Sequence, residues 1–346
     1  MFSQIAVKKN QSQPNRSFNQ VASMFGRLYE EAMAASIRTE HGRGPEYRPS
    51  SFPICSVLVY MQFLAAARNG FYESNMGAGG GFFTSVGTAA HENIQRYIGE
   101  SGKIYGHWKC RNPKCKRSHA ARDLYDEKGK IVRPGALTRE STTNNKCPTC
   151  KHAMEYVELE INYNGLKGHI DCIVKLEDGS YWVADYKTTT ANNLKSTKLP
   201  KSEHLMQLPT YCYVLEKKYK MKIRGFSLLY FSRDNPYSFR EHADKWTPRW
   251  RSQIGALIKD QKRVYRNAVR AFVENKPDLA IKCKVCTKPS DYEEKMPAYE
   301  PCPMETVCFN RRNLLVAMSQ KGVKESQRIR VIDITPNMKN YLRDAT

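Results

Sequence analysis

The stretch GHIDCIVKLEDGSYWVADYKTTT, residues 168–190, constrains the fold more than any other part of this chain. Two runs rich in Ile, Val, Tyr and Trp flank Asp178-Gly179, a dipeptide suited to a tight hairpin turn, so the segment predicts two antiparallel strands. Residues two apart on a strand share a face, which groups Tyr181, Val183, Asp185 and Lys187 on one side and Trp182, Ala184 and Tyr186 on the other. On the first strand Ile170, Cys172, Val174 and Leu176 make an apolar face, and Asp171 points the opposite way, towards Asp185 across the pair. Two neighbouring carboxylates in a partly buried place repel and raise each other's pKa unless a cation holds them. Mg²⁺ is the hard cation that binds through one or two carboxylates plus phosphate oxygens. Lys187 then supplies charge for a phosphate under attack, or helps to activate a metal-bound water. The bland alternative is a surface hairpin with ordinary cross-strand ion pairs, each worth less than about 1 kcal/mol.

Around this hairpin the pattern alternates between helix and strand. Helical periodicity covers about 17–40 and 52–68, and a third helix fits TSVGTAAHENIQRYIG, which carries His91. The glycine run Gly77–Gly81 before it lacks G-x-G-x-x-G spacing and is expected to be a loop. GESGKI, residues 99–104, lacks the first glycine and the Ser/Thr of a phosphate-binding loop, so nucleotide hydrolysis is not expected. Strands EYVELEINYN, GHIDCIVKL, SYWVADYKT and IRGFSLLYFS follow, with helices over about 203–219 and 246–274. Strands wrapped by helices imply an α/β fold with a central sheet flanked by helices.

Residues 105–156 interrupt that pattern with Cys, Lys, Gly and Asn. Cys110, Cys115, Cys147 and Cys150 supply four thiolates from two knuckles, the donor set of a tetrahedral Zn²⁺ in a zinc-ribbon module. His107, His119 and His152 lie close enough in sequence to replace one of them. Lys109, Arg111, Lys114, Lys116, Arg117 and Arg122 could rest on DNA phosphates. Cysteines clustered at metal-ligand spacing, without an apolar secretory signal, point to a reducing compartment and a cytoplasmic location. No apolar run reaches the roughly 18 residues that a membrane span needs, so no membrane partner is expected. Lys and Arg outnumber Asp and Glu by 56 to 34, a net +22 suited to a polyanion such as DNA.

The order of these short elements carries a resemblance. Gly168-x-x-Asp171 followed by Asp185-Tyr186-Lys187 resembles the signature of the PD-(D/E)XK nucleases, whose core is restriction-endonuclease-like. QLPTY, with Gln207 and Tyr211, resembles the QxxxY element of the RecB-like exonuclease branch, which also places a metal-binding histidine in an upstream helix, as at His91. The resemblance covers roughly residues 48–310, apart from the cysteine module. It implies that His91, Asp171, Asp185 and the backbone carbonyl of Tyr186 hold Mg²⁺ or Mn²⁺, one ion or two. It implies further that Lys187 is the catalytic lysine, and that Gln207 and Tyr211 brace it or touch the DNA backbone. Pro209 departs from the pattern: the helix is expected to start there or to kink.

RecB-like nucleases with an iron-sulfur staple place one cysteine before the core and three after it, the last two separated by five residues. Cys55, Cys302 and Cys308 are similar to three of these, with Cys283 and Cys286 competing for the fourth place of a 4Fe-4S cluster. A second zinc on Cys283, Cys286, Cys302 and Cys308 is the rival.

The expected organisation is a disordered basic arm over 1–16, a helical part over 17–104, the zinc ribbon over 105–156 and the nuclease core over 157–280. A cysteine-rich segment over 281–310 and a basic tail over 311–346 complete it. The expected function is a metal-dependent DNase, an exonuclease of phage or bacterial type acting in replication, recombination or end processing. DNA is its expected partner, with a helicase, a single-strand-binding protein or a recombination protein beside it. The rivals are a DNA-binding or assembly subunit with an idle site and a structure-specific endonuclease such as a junction resolvase.

Overall fold

The computed structural model describes residue 28 and residues 45–52, 54–69, 78–100, 103–115, 124–125, 131–133, 137–140, 145–196, 199–235, 237–281 and 311–334. The expected arm at 1–16 and Cys283, Cys286, Cys302 and Cys308 lie outside them. The chain divides into two units, Met1–Gly42 with Glu73–Ser85, and Arg43–Tyr72 with Val86–Thr346. In the first, the described residues are Leu28 and the opening turns of a helix; every strand belongs to the second.

The elements run α1 (Ser56–Asn69), α2 (Ala78–Glu100), β1 (Tyr105–Cys110), β2 (Leu124–Tyr125), β3 (Ile131–Arg133), β4 (Leu137–Glu140) and β5 (Met154–Val157). Then come β6 (Leu159–Tyr163), β7 (Leu166–Ile170), β8 (Cys172–Lys175), β9 (Tyr181–Thr189), α3 (Ala191–Leu194) and α4 (Ser202–Tyr219). The chain continues through β10 (Ile223–Ser232), β11 (Phe239–Lys245), α5 (Pro248–Val273), α6 (Asp278–Ile281), α7 (Arg311–Ala317) and α8 (Glu325–Ile334). No helix among the described residues is long and apolar enough to cross a membrane.

A four-stranded mixed sheet, in the order β11-β10-β9-β8, organises the site. β8 and β9 form the antiparallel hairpin, with Cys172 opposite Ala184 and Lys175 opposite Tyr181. Its turn needs Gly179, whose φ of +75° suits a residue without Cβ. β10 runs parallel to β9 and places Leu228 beside Asp185. A parallel neighbour requires a crossover, here supplied by α3 and α4.

One core lies on the α4 and α5 side of the sheet. α5 starts with Thr247 accepting from Trp250 N at 3.4 Å and Pro248 in the first turn. It buries Ile254, Ile258, Tyr265, Val269 and Phe272, a 3.6-residue stripe that meets Tyr60, Phe63 and Tyr47. The second core lies beneath α2 and is built from Ile104, Trp108, Met154, Cys172, Ala184 and Tyr186 together with three of the cysteines.

Three local expectations change. Gly79–Gly81 of the glycine run are not a loop: α2 starts at Ala78 and takes them into the helix, where three glycines cost about 1 kcal/mol each relative to alanine. That cost is spread over a helix of 23 residues. α4 does not begin at Pro209: it spans Ser202–Tyr219, close to the expected 203–219, with the proline inside it. Leu208, Tyr211, Cys212, Val214 and Leu215 bury the helix on both sides of the proline, so tertiary packing outweighs the missing backbone bond. The apolar face expected of Ile170, Cys172, Val174 and Leu176 splits, because the chain bends at Asp171. Ile170 and Ile173 join the first core, whereas Cys172 and Val174 join the second.

Candidate functional site

The bend at Asp171 separates β7 from β8 and turns a carboxylate inward where a regular strand would simply alternate. Asp171 is 8 % exposed, and its Oδ2 accepts from Tyr186 N at 2.7 Å. Asp185, on β9, is 1 % exposed. Lys187 projects from the same face of β9 and brings Nζ to 2.7 Å from Asp185 Oδ2. The contact is a close ion pair, in which the ammonium lowers a carboxyl that burial raises. Gln207 Nε2 donates to Asp185 Oδ1 at 3.1 Å and to Tyr211 Oη at 3.0 Å. One helical turn between Gln207 and Tyr211 makes that pair possible.

Gly168 has a steric reason. A Cβ there would stand 2.9 Å from Tyr211 Cε1 and 3.2 Å from its hydroxyl, so the absence of a side chain lets the tyrosine close over β7. The two distant motif pieces, Gly168-x-x-Asp171 and Gln207-x-x-x-Tyr211, are therefore in contact.

From α2, His91 turns Nδ1 to 3.6 Å from Asp171 Oδ2 and sets its ring edge-on to Tyr186, with centroids 5.9 Å apart. His91, Glu158 and Asp171 each offer one ligand atom, all within 4.8 Å of one another. Glu158 escaped the sequence reading. It stands among Glu155, Glu158 and Glu160 in one strand-like run, and only the break between β5 and β6 aims it at the site.

The electrostatics favour a cation. Burial pushes both Asp171 and Asp185 above the usual carboxylate range, and Asp171 is raised further by the facing Asp185 and Glu158. Burial, and then Lys187, lowers His91, leaving it a neutral imidazole suited to ligation. His91, Glu158 and Asp171 could hold a divalent ion, which would offset the burial of their carboxylates, and such a set suits Mg²⁺ or Mn²⁺; Asp185, whose oxygens face Gln207 and Lys187, stands beside this group and not in it.

The four cysteines expected to act together do meet. Cys110 Sγ lies 3.4 Å from Cys150 Sγ, and Cys115 Sγ lies 3.8 Å from Cys147 Sγ. All four sulfurs fall within 4.8 Å of one another, and none is in a disulfide. A tetrahedron with Zn–S bonds of about 2.3 Å has edges of about 3.8 Å, so the spacing suits zinc. The second knuckle is closed by Cys147 N donating to His152 O at 2.8 Å and Lys151 N donating to Cys147 O at 2.9 Å. His152 is turned to its own knuckle, 3.0 Å from Cys150 O, and is not in the sulfur cluster. Cys55, the remaining described candidate, is half-buried just before α1, and Leu58 N donates to its sulfur at 3.5 Å.

No curated protein matches this sequence significantly. Among solved structures, the crystal structure of SSO0001 is similar at 13% identity, over 69% of this chain and 85% of that one, with a TM-score of 0.35. The family model of the PD-(D/E)XK nuclease superfamily matches residues 60–290, a span that contains His91, Asp171, Asp185, Lys187, Gln207 and Tyr211. A match over well more than half of its length makes the chain a member of the PD-(D/E)XK nuclease superfamily.

Proposed function

We propose that the protein is a Mg²⁺- or Mn²⁺-dependent deoxyribonuclease, an exonuclease of the RecB-like type, with a structural zinc on Cys110, Cys115, Cys147 and Cys150. The observation that carries the reading is the convergence of three buried or half-buried carboxylates, a neutral histidine and one lysine on a basic protein. Such burial of acids is costly without a cation, and the substrate's phosphate supplies further oxygen ligands.

When bound, the divalent ion supplies Lewis acidity and an activated water for hydrolysis of a phosphodiester. The chain's own residues orient the rest. Tyr186 N fixes the Asp171 carboxylate, and Gln207, itself held by Tyr211, fixes that of Asp185. Lys187 remains 23% exposed at its side chain, so it is accessible to a phosphate while staying 2.7 Å from Asp185. Its ammonium then stabilises the negative charge that grows on the phosphate oxygens. His204, on α4, is pushed down to about 3 by burial and by Lys187 and Lys201, so it adds no competing cation at neutral pH.

A 4Fe-4S cluster on Cys55 and three of the C-terminal cysteines belongs to the same proposal. Ser56 Oγ donates to Ala280 O, which holds Cys55 beside a segment that reaches Cys283 three residues later. Iron and sulfide analysis of protein purified without oxygen tests it, and zinc in place of iron would favour the rival assignment.

End-labelled linear and closed circular single-stranded DNA test the exonuclease reading. Loss of the linear strand alone supports it. Cleavage of the circle would make the protein an endonuclease, and binding without any cleavage would make it an assembly subunit with an idle site.

A further inference from the structure

The backbone carbonyl of Asp171 receives two side-chain donors from two different parts of the fold. Tyr156 Oη donates to it at 3.1 Å and Gln95 Nε2 at 3.2 Å. The carbonyl belongs to the residue where β7 bends into β8, so its peptide lacks the neighbours that would hold it in a regular ladder. Gln95 also donates to Glu158 Oε1 at 3.0 Å, and so touches both carboxylate residues of the His91, Glu158 and Asp171 group.

Tyr156 comes from the cysteine module. It lies on β5, which leaves the Cys147–Cys150 knuckle, opposite Trp108 on β1, which leads into Cys110. The two rings pack edge-on with centroids 5.7 Å apart, and Trp108 shares a core with Cys110, Cys115 and Cys147. Gly106 leaves room for the Tyr156 ring, since a Cβ there would stand 2.4 Å from Cε2.

We infer that Tyr156 and Gln95 are positioning residues for the catalytic carboxylates, and that the four-cysteine module acts on the divalent-cation site through the Tyr156 hydroxyl. The inference rests on the reading of that site as a divalent-cation site, and adds a role that folding alone does not require of the module. Partners that orient metal ligands typically change affinity or activity by about 10–100-fold when removed.

The test is Mn²⁺ binding to the full-length, zinc-loaded protein, followed by electron paramagnetic resonance, with thermal unfolding and zinc content measured alongside. Tyr156→Phe keeps the ring and deletes the donor. It is expected to weaken Mn²⁺ binding by about tenfold or more while zinc content stays the same. Gln95→Met should act in the same direction, and the double variant should fall short of the product of the two effects, because both donors serve one carbonyl. Gly106→Ala, which displaces the ring, should resemble Tyr156→Phe in Mn²⁺ affinity. Native-like Mn²⁺ affinity in Tyr156→Phe would overturn the inference and leave the site reading standing, even if that variant unfolded earlier. A native protein that bound no Mn²⁺ would overturn both.

Discussion

Substituting Gly168 by alanine tests the physical reason for the first motif residue. The added Cβ would lie 2.9 Å from Tyr211 Cε1, 3.2 Å from its hydroxyl and 3.4 Å from Pro49 Cδ, so the ring cannot remain where it is. Tyr211 is 3 % exposed and has no open side to move into. Overpacking of this kind costs about 1–3 kcal/mol, and each kcal/mol lowers Tm by roughly 2–4 °C in a large domain. A shifted Tyr211 also loses its place 3.0 Å from Gln207 Nε2, the group that fixes Asp185, so cleavage should fall by about tenfold or more. A double-mutant cycle with Tyr211→Leu isolates the contact, because the smaller side chain frees the space. Denaturant unfolding of the four proteins should give a coupling of about 1 kcal/mol or more, with alanine much better tolerated beside leucine. Additivity within about 0.5 kcal/mol would refute the reasoning, since Gly168 would then be required for something other than room for this ring.

The other expectations concern the carboxylates, the cysteines and pH. Asp171→Asn keeps an oxygen for Tyr186 N but removes a buried charge facing Asp185 and Glu158. In EDTA it should raise Tm, and with Mg²⁺ it should abolish cleavage; a lower Tm in EDTA would contradict the electrostatic account. Cys115→Ser should release one zinc equivalent by metal analysis and lower Tm by several degrees, because the metal supplies folding free energy to a polar segment. Burial, Lys187 and Lys201 move His204 from 6.5 to about 3 in the fold. Its contribution to stability is therefore complete above pH 6.5 and is lost progressively as pH falls towards 3. The slope is at most about 1.4 kcal/mol per pH unit, and His204→Asn should flatten the acid side of the Tm profile.

What was legible in the sequence was local. The hairpin could be read because period-two alternation and an Asp-Gly turn are properties of neighbouring residues, and β8 and β9 pair as that pattern requires. The meeting of Cys110, Cys115, Cys147 and Cys150 was readable from donor chemistry and knuckle spacing. What could not be read depended on distant packing. The bend at Asp171 breaks the alternation because its carboxylate is drawn to Tyr186 N and its carbonyl to Gln95 and Tyr156, none of them adjacent in sequence. Glu158 is chemically no different from Glu155 and Glu160, yet Glu155 faces Lys109 and Arg111 at the surface while Glu158 faces His91 and Asp171. Pro209 argued for a helix start or a kink, but the helix already runs from Ser202, and the buried residues on either side of the proline carry it through. Gly168 was visible as a motif letter, and the Tyr211 ring that explains it comes from a helix more than thirty residues later.

The central claim is that Asp171 and Asp185 form a divalent-cation site that hydrolyses DNA. Its most direct test is cleavage of end-labelled linear DNA by the native protein and by Asp185→Ala, each with Mg²⁺, with Mn²⁺ or with EDTA. The account predicts cleavage by the native protein with either ion, none with EDTA, and none by the variant under any condition. Equal cleavage by native protein and variant, or cleavage that persists in EDTA, would contradict it.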